Sequence, residues 1–251
     1  VKFKAEDKWG NPSDQCDCQL TVRASHPIDG LPASVTLKPG QFAGVITGLR
    51  VHEAADLVIE FFDEAGVLQC ATNPIRIESA PVSRHFWGDL HGQSEETIGT
   101  GTAEAYFKFA RDSAFVDITG HQGNDFQITT EFWKHLDDLC AAFNEDGHFI
   151  AIPGYEWSGN TGLGGDRNIY FPGEGRVLRR SSHALVSDHS DIDNDCHSAT
   201  ELFAAFAEND EDDVVMFAHC GGRYADIELA HDGRFEKAME VHSSWGTFEW
   251  L

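Results

Sequence analysis

The segment GTAEAYFKFARDSAFVDITGH, residues 101–121, decides the fold class that the sequence predicts. Its apolar residues recur at helical spacing until the strand-like run of residues 115–119 begins. The same order returns where a helical pattern at residues 130–147 leads into the strand-like residues 149–152, and again before residues 214–217. Repeated helix and strand units of this kind predict an α/β domain with a parallel sheet or barrel.

Residues 1–80 follow a different pattern. Apolar and polar residues alternate in short runs, which turn signals such as Asp29-Gly30 and Pro39-Gly40 separate. Because no window there has helical spacing, we expect a small all-β sandwich of immunoglobulin-like type. The sequence therefore predicts two domains, a sandwich at residues 1–80 and the α/β domain at residues 81–251.

The charge of the chain is strongly negative and unevenly distributed. Its 251 residues include 42 Asp and Glu against 18 Lys and Arg, a formal net charge of −24 when the 13 histidines are neutral. Residues 81–251 hold 31 of the acidic residues and 11 of the histidines. This charge disfavours nucleic acid as a partner, and no apolar run approaches the roughly 20 residues that span a membrane. Carboxylates enriched together with imidazoles suit a divalent metal site, although most acidic residues only solvate a surface.

The cysteines and the ends of the chain bear on its compartment and completeness. Six cysteines are scattered, and the tight pair Cys16-Asp17-Cys18 lacks the spacing of a zinc knuckle or of a redox CxxC motif. We therefore expect a reducing compartment and a cytoplasmic location. The chain begins at Val1 without a basic and apolar leader and stops at Leu251 directly after a strand-like run, so we expect a fragment of a longer polypeptide.

A side chain that can bind a metal follows each predicted strand of residues 81–251 at its C-terminal end. The five are His91, His121, Glu156, His219 and His242. In a parallel α/β barrel these strand ends converge on one mouth, where active sites are built. A single histidine after a strand is more often an ordinary surface or core group, but five at corresponding positions favour a shared metal site.

Other motifs carry weaker signals. Residues 181–197 contain three histidines and the run Asp-Ile-Asp-Asn-Asp, but a solvated acidic loop explains them better than a calcium site because the required glycine and distal glutamate are missing. The glycine-rich residues 159–165 lack the lysine of a phosphate-binding loop. Arg167 and Arg223 can each bind an anionic substrate or form a buried salt bridge, and the sequence leaves both alternatives open. Gln93 can serve as a weak ligand or as a hydrogen-bonding partner of one.

Four short motifs occur in the order found in the PHP superfamily, which is named for polymerase and histidinol phosphatase domains. They are Asp89-Leu-His91, Asp117-Ile-Thr-Gly-His121, Gly154-Tyr-Glu156 and Ala218-His219. The stretch from Phe86 through Trp250 is similar to an uncharacterised bacterial branch of that superfamily. This similarity includes the runs Pro153-Gly-Tyr-Glu-Trp157, Arg167-Asn168 and Glu240-Val-His-Ser-Ser-Trp-Gly-Thr-Phe-Glu249.

The resemblance implies a distorted (β/α)7 barrel, truncated at its C-terminus in this chain, that holds up to three divalent metals and hydrolyses phosphoesters. Carried over to these residues, His91 would bind the first metal, Glu156 would bridge the first and second, and His219 would complete the second. His121 would belong to the third metal. His183 would be the further histidine that binds the second metal.

Three positions depart from the pattern of the superfamily. Gln93 replaces the second imidazole of an opening His-x-His motif and puts a weak amide where a strong ligand is usual. Glu95 and Glu96 are the nearest carboxylates to Ile98, where members of the superfamily place an acid or a histidine. The closing Asp-x-His motif would follow Leu251, so the chain does not carry a complete three-metal site.

We therefore expect a metal-dependent hydrolase, in the first place a phosphoesterase that acts on a small phosphorylated substrate with the help of two or three manganese, zinc or iron ions. The expected catalytic residues are His91, Glu156 and His219. The expected metal ligands add Gln93, His121 and His183, with Glu96 and His242 as further candidates. The expected substrate-binding residues are Arg167, Asn168 and Arg223. One alternative is a PHP-like module that binds a metal or ligand without turnover, and another is hydrolysis of a bond other than a phosphoester.

Overall fold

The computed structural model describes residues 1–248 of the chain. It divides into two compact units, each held together by its own contacts. Unit 1 consists of Val1–His85 with Asp112–Phe115, and unit 2 consists of Phe86–Arg111 with the chain from Val116 onward. Residues 249–251 lie outside the described residues. They include the last residue of the run 240–249 and the end of the predicted barrel domain.

Unit 1 is built from short strands. They are β1 (Lys2–Lys4), β2 (Cys18–Ala24), β3 (Ser34–Leu37), β4 (Ala43–Val45), β5 (Ala55–Leu57), β6 (Ile59–Phe62), β7 (Leu68–Ala71) and β8 (Ile75–Ile77). An antiparallel sheet has the order β3-β2-β6-β7, while β1 pairs with β4 and β5 pairs with β8. The alternating sequence turns one face of these strands inward, where Val22, Ile59 and Phe61 are buried together.

Unit 2 contains strands, helices and long loops. Its elements are β9 (Gly88–Gly92), α1 (Ala103–Phe109), β10 (Ile118–His121), α2 (Thr130–Phe143), β11 (Ile150–Ile152), β12 (Gly154–Trp157), β13 (Arg167–Tyr170), α3 (Ala199–Glu208), β14 (Val215–Ala218), β15 (Glu236–Met239), β16 (His242–Ser243) and β17 (Gly246–Thr247). A π-helical turn, Ala110–Ala114, follows α1, and short 3₁₀ turns occur at Asp125–Gln127, Thr161–Leu163 and Ile192–Asn194.

The helices of unit 2 begin where the sequence offers a capping side chain. Thr102, Thr129 and Ser198 each precede a helix and accept a hydrogen bond from a backbone N–H of its first turn. The spacing of apolar residues then gives α2 and α3 a buried face each, and Leu136 and Phe206 lie in the same core. No helix in the described part of the chain is long and apolar enough to cross a membrane.

The strands of unit 2 form sheets of different topology. β9, β10 and β11 make a parallel sheet in the order β11-β10-β9. β12 to β15 make a mixed sheet in the order β12-β13-β14-β15, in which β13 runs antiparallel to both neighbours and β15 runs parallel to β14. β16 and β17 form an antiparallel hairpin.

The predicted (β/α)7 barrel is wrong. Unit 2 consists mostly of strands and loops, its helices are short, and no closed barrel forms among residues 1–248. Parallel neighbours need a long crossover, but only residues 158–166 with a 3₁₀ turn join β12 to β13, so the chain returns antiparallel. Pro153, which has no N–H to give to a ladder, lies between β11 and β12, where the chain leaves one sheet for the other. In unit 1 the β3-β2-β6-β7 sheet and the pairs β1-β4 and β5-β8 contribute residues to one core, and the immunoglobulin-like sandwich stays a prediction.

Candidate metal centre

Polar side chains from several strand ends of unit 2 meet in one place. Glu156 lies near the C-terminal end of β12, and His219 directly follows β14. Because β13 runs in the opposite direction, its N-terminal end reaches the same edge of the sheet, with Asp166 before it and Asn168 within it. We call the following set the His/carboxylate cluster: His91, Glu156, Asp166, His219 and Glu240.

Glu240 holds both imidazoles of the cluster. Its Oε1 lies 2.9 Å from Nδ1 of His91, its Oε2 contacts Nδ1 of His219, and the centres of the two rings are 4.6 Å apart. The side-chain amide of Asn168 also donates to Glu240. A carboxylate on Nδ1 fixes the orientation of an imidazole and leaves Nε2 for a metal or a substrate.

The charges of the cluster depend on one another in the metal-free protein. Burial lowers the pKa of His91, but its hydrogen bonds to Glu156 and Glu240 outweigh burial and raise the pKa to about 9. Burial raises the pKa of Glu240, but its contacts with His219 and His91 outweigh burial and lower the pKa to about 2. His91 is therefore an imidazolium at neutral pH and supplies positive charge among the carboxylates.

Glu156 is buried on the inner side of the cluster. Its Oε2 lies 3.3 Å from Nε2 of His91 and accepts a hydrogen bond of 3.4 Å from Nε2 of Gln93. The side-chain oxygen of Gln93 accepts a hydrogen bond of 2.8 Å from the hydroxyl of Thr97. Gln93 thus orients Glu156 through its amide nitrogen, and its oxygen is engaged by another residue.

Asp166 and Arg223 form an ion pair at the edge of the cluster. Oδ1 of Asp166 lies 3.2 Å from Nε of Arg223, and the backbone N–H of Asp166 donates to the carbonyl of Arg223 at 2.8 Å. Gly165 permits this approach, because its φ is +75° and a Cβ there would lie 1.9 Å from the carbonyl oxygen of Tyr224. Burial and the charge of Glu156 raise the pKa of Asp166 to about 8, although Arg223 opposes them.

The donor atoms of the cluster lie close enough together to hold a cation. Among the described residues, two sets each place their ligand atoms within 4.8 Å of one another: His91, His219 and Glu240, and Glu156, Asp166 and His219. Imidazoles combined with carboxylates suit zinc, manganese and iron. Oδ1 of Asn168 is buried and makes no hydrogen bond to any residue of the described chain, which leaves a further oxygen donor beside the cluster. The residues present therefore fit a divalent metal ion.

The cluster lines a cavity of unit 2 with a volume of about 780 Å³. Small-molecule sites occupy about 300–1,000 Å³, so the cavity has room for a metabolite. Phe126 and Arg223 also line it, as does Trp245, which is 75% exposed in the β16–β17 hairpin. The cavity thus combines ligand atoms, a guanidinium group and aromatic surface.

His121 is near the cluster but not part of it. Its Nδ1 accepts a hydrogen bond of 3.2 Å from the backbone N–H of Gly123, so Nε2 carries the proton and lies 2.8 Å from the hydroxyl of Ser94. Ser94 donates in turn to Glu96. Burial and the nearby His91 lower the pKa of His121 to about 4. In this arrangement both ring nitrogens of His121 and one carboxylate oxygen of Glu96 contact other protein groups.

His183 belongs to a different network. Its Nδ1 lies 2.7 Å from Asp195 and its Nε2 lies 3.0 Å from Asp191, which also pairs with Arg180 at 2.8 Å. The acidic loop is therefore partly buried against positive partners and is not simply solvated, as the sequence had suggested. His183 is absent from both sets of candidate metal ligands among residues 1–248.

Arg167 and His242 also lie apart from the cluster. Arg167 is fully buried, its Nε is 2.6 Å from Glu236, and its terminal nitrogens donate to the carbonyls of Gly165 and Ala230 at 3.0 and 2.9 Å. Of the two alternatives for Arg167, the structure contains the buried salt bridge. His242 is exposed on β16 and lines the cavity without belonging to either metal-binding set of the described residues.

Sequence reasoning missed Asp166 and Glu240 as possible ligands. It considered only the C-terminal ends of strands taken to be parallel, whereas Asp166 precedes the antiparallel β13. It also treated Glu240 only as part of the run 240–249, whereas β15 ends at Met239 and Glu240 is the first side chain after it. The sequence shows Asp166 directly before a strand-like run, but it does not show the direction of that strand.

Comparisons with other proteins identify relatives without a known activity. The sequence model of DUF3604, described as a protein of unknown function, matches residues 63–222. An uncharacterised protein of Chlamydia pneumoniae is 24% identical over 178 residues, which cover 70% of this chain and 27% of the relative. Uncharacterised proteins of Chlamydia muridarum and Chlamydia trachomatis are 21% and 22% identical over 255 residues, which cover 99% of this chain and 39% of each relative. The chain thus spans 27 to 39% of the length of these relatives. No solved structure gave a significant match.

Proposed function

This chain belongs to the DUF3604 family of proteins of unknown function, and on that premise we propose that it carries the metal centre of a divalent-metal-dependent hydrolase. The proposed reaction is hydrolysis of a phosphoester in a small substrate. One observation carries the proposal: two imidazoles and three carboxylates from separate strand ends meet at a cavity of about 780 Å³. Because the chain spans 27 to 39% of its relatives, the activity of the whole protein is part of the proposal.

The donor set supports manganese, zinc or iron as the cofactor. His91 and His219 offer nitrogen, while Glu156, Asp166 and Glu240 offer oxygen. When bound, such a cation would act as a Lewis acid on a phosphoryl oxygen and lower the pKa of a nearby water. The number of ions is left open, because the two sets share His219.

The protein's own residues would prepare the site for that chemistry. Glu240 accepts from Nδ1 of both imidazoles, so an imidazole that loses a proton to make room for a metal would lose it from Nε2. Gln93 donates to Glu156 and holds its carboxylate in place. Arg223 lines the cavity beside Asp166, and its positive charge offsets part of the negative charge of the cluster.

We also propose that the likeness to the PHP superfamily reflects related metal chemistry on a sheet arrangement that is not a closed barrel. His91, Glu156 and His219 support this, since residues of three of the superfamily's ordered motifs lie in the cluster. A cytoplasmic location is a further part of the proposal. All six cysteines lie within the described residues and are free thiols, which suits a reducing compartment.

A specific observation favours one rival function. The side-chain oxygen of Gln93 accepts from the hydroxyl of Thr97 and from the backbone N–H of Ile98, so in this arrangement it is occupied where the superfamily has an imidazole ligand. A centre with fewer ligands can bind a metal or an anion without turning it over. The rival is therefore a binding module that keeps the metal and lacks hydrolysis.

The test is hydrolysis by the full-length protein after chelation and after reloading with manganese, zinc or ferrous iron. We expect metal-dependent release of phosphate from small phosphomonoesters or diesters. Glu156→Gln and His219→Gln should lower kcat by about a hundredfold or more, while His231→Gln, an exposed histidine of the same unit, should not. Tight metal binding with equal, negligible rates on all phosphoesters would support the binding module instead.

A further inference from the structure

We propose that a side pocket next to the candidate metal centre binds a second phosphate group of the substrate, one that is not cleaved. The side pocket has a volume of about 220 Å³ and shares Phe126 and Arg223 with the main cavity. Ser182, Asn160 and His197 are among its other lining residues. The inference rests on the proposed function, because it names the class of substrate that the metal centre would cleave: a small molecule with two phosphates.

Arg223 is the group that connects the two cavities. Only its Nε lies against Asp166, at 3.2 Å, and its guanidinium lies over the ring of Phe126 at 5.3 Å. Within residues 1–248 its terminal nitrogens have no hydrogen-bonding partner, so they can form a bidentate contact with a phosphate. Arg167 differs in this respect, because backbone carbonyls and Glu236 use its donors.

The other polar groups of the side pocket suit the same ligand. The side chains of Ser182 and Asn160 line it and make no hydrogen bond to any described part of the chain. A hydroxyl and an amide can both donate to phosphate oxygens. The side pocket therefore offers donors that no residue of the described chain uses.

The floor of the side pocket is held in place. Asp125 is fully buried and accepts hydrogen bonds from the backbone N–H of Phe126 at 2.6 Å and from the hydroxyl of Ser181 at 3.1 Å, as well as from the backbone N–H of Ser181. Nδ1 of His197 donates to the carbonyl of Ser181 at 2.9 Å. A site whose walls are fixed before binding loses less entropy when a ligand enters.

The distribution of charge explains why a phosphate would enter this pocket. The main cavity is lined by Glu156, Asp166 and Glu240, whereas no Asp or Glu lines the side pocket within the described residues. The chain as a whole has a formal net charge of −24, which repels anions from most of its surface. A pocket lined by a guanidinium and by no carboxylate repels an anion less than the main cavity does. Because no residue of the His/carboxylate cluster lines the side pocket, a phosphate there would not occupy the position of the group that is cleaved.

The experiment has an equilibrium arm and a kinetic arm, both on the full-length protein. In the first, inorganic phosphate is titrated calorimetrically into the chelated protein. Arg223→Met and Ser182→Leu should weaken binding about tenfold or more, because the first removes a charged donor and the second fills the pocket. Arg234→Met is the matched control, since Arg234 also pairs with an aspartate, at 2.7 Å, but is exposed outside both cavities, and it should change nothing.

In the kinetic arm, the metal-loaded protein is offered a sugar bisphosphate and the monophosphate of the same sugar. We expect kcat/KM to favour the bisphosphate, and both pocket variants to reduce that preference about tenfold or more. Hydrolysis with an unchanged preference, together with phosphate binding that neither variant affects, would overturn the inference and leave the proposed function intact. Binding of succinate but not of phosphate would also overturn it. Absence of hydrolysis would contradict the proposed function. Phosphate binding that both Arg223→Met and Ser182→Leu weaken would still support a phosphate site in the side pocket.

Discussion

Replacing His91 by glutamine should remove a pH dependence of stability from the metal-free protein. The two carboxylates around His91 raise its pKa from 6.5 to about 9 in the folded chain. The contribution of the imidazolium to stability is therefore complete below pH 6.5 and is lost as the pH rises through 9. The difference in pKa between the folded and unfolded chain corresponds to about 3 kcal/mol. His91 is largely buried, so solvent screens this contribution only weakly.

The assay is urea unfolding followed by tryptophan fluorescence at pH 6, 8 and 10 with a chelator present. Between pH 6 and 10 the wild type should lose about 3 kcal/mol more unfolding free energy than His91→Gln. His231→Gln is the matched control, because Nδ1 of His231 also lies near a carboxylate, Glu236 at 2.7 Å, but its side chain is 53% exposed. The pH profile of His231→Gln should run parallel to that of the wild type. Parallel pH profiles for the wild type and His91→Gln would refute the reasoning.

Three further predictions concern the cluster and the residues that support it. Metal binding needs a neutral imidazole and ionised carboxyls, so manganese affinity should rise about tenfold or more per pH unit between pH 6 and 8. Calorimetry that shows no proton release on binding would contradict this. Arg167→Met should lower the unfolding free energy by about 3–5 kcal/mol, since it leaves Glu236 buried without its ion pair, and an unchanged urea midpoint would count against it. Gly165→Ala should weaken metal affinity about tenfold, because the new Cβ forces two backbone segments apart. Gly162→Ala, in the same loop but with nothing within 4 Å of its Cβ, should bind metal as the wild type does.

The local elements of unit 2 were predictable because their signals are local. The three helices expected from the helical spacing of apolar residues are confirmed, and in the structure each begins after a capping threonine or serine. Strands were expected at residues 149–152 and 214–217, and β11 and β14 lie within one residue of these positions. Side chains and spacing alone determine features of this kind.

The arrangement of the strands could not be predicted, because the pairing direction depends on contacts distant in sequence. Nothing in the run 166–168 states that β13 runs against β12 and β14, yet that direction brings Asp166 and Asn168 to the edge where Glu156 lies. The assumption of a parallel barrel therefore placed His91, Glu156 and His219 together, as the cluster does, but left out Asp166.

The roles of charged residues were harder to predict than their positions. The sequence offers the same two roles for Arg167 and Arg223. In the structure Glu236 and backbone carbonyls enclose Arg167, whereas Arg223 lines a cavity and has unused donors among the described residues. His183, expected as a metal ligand, pairs with Asp191 and Asp195 in the structure and lies outside the cluster. The role of each of these side chains depends on the residues that the fold places beside it, and the sequence around it does not identify them.

The most direct test of the metal centre is a crystal structure of the manganese-soaked protein, with diffraction measured on both sides of the manganese absorption edge. A metal at the His/carboxylate cluster should give an anomalous peak about 2.0–2.3 Å from an imidazole nitrogen of His219 and a carboxylate oxygen of Glu156 or Glu240. A peak only at His183 and its aspartates, or no peak at the cluster at saturating manganese, would contradict the proposed metal centre.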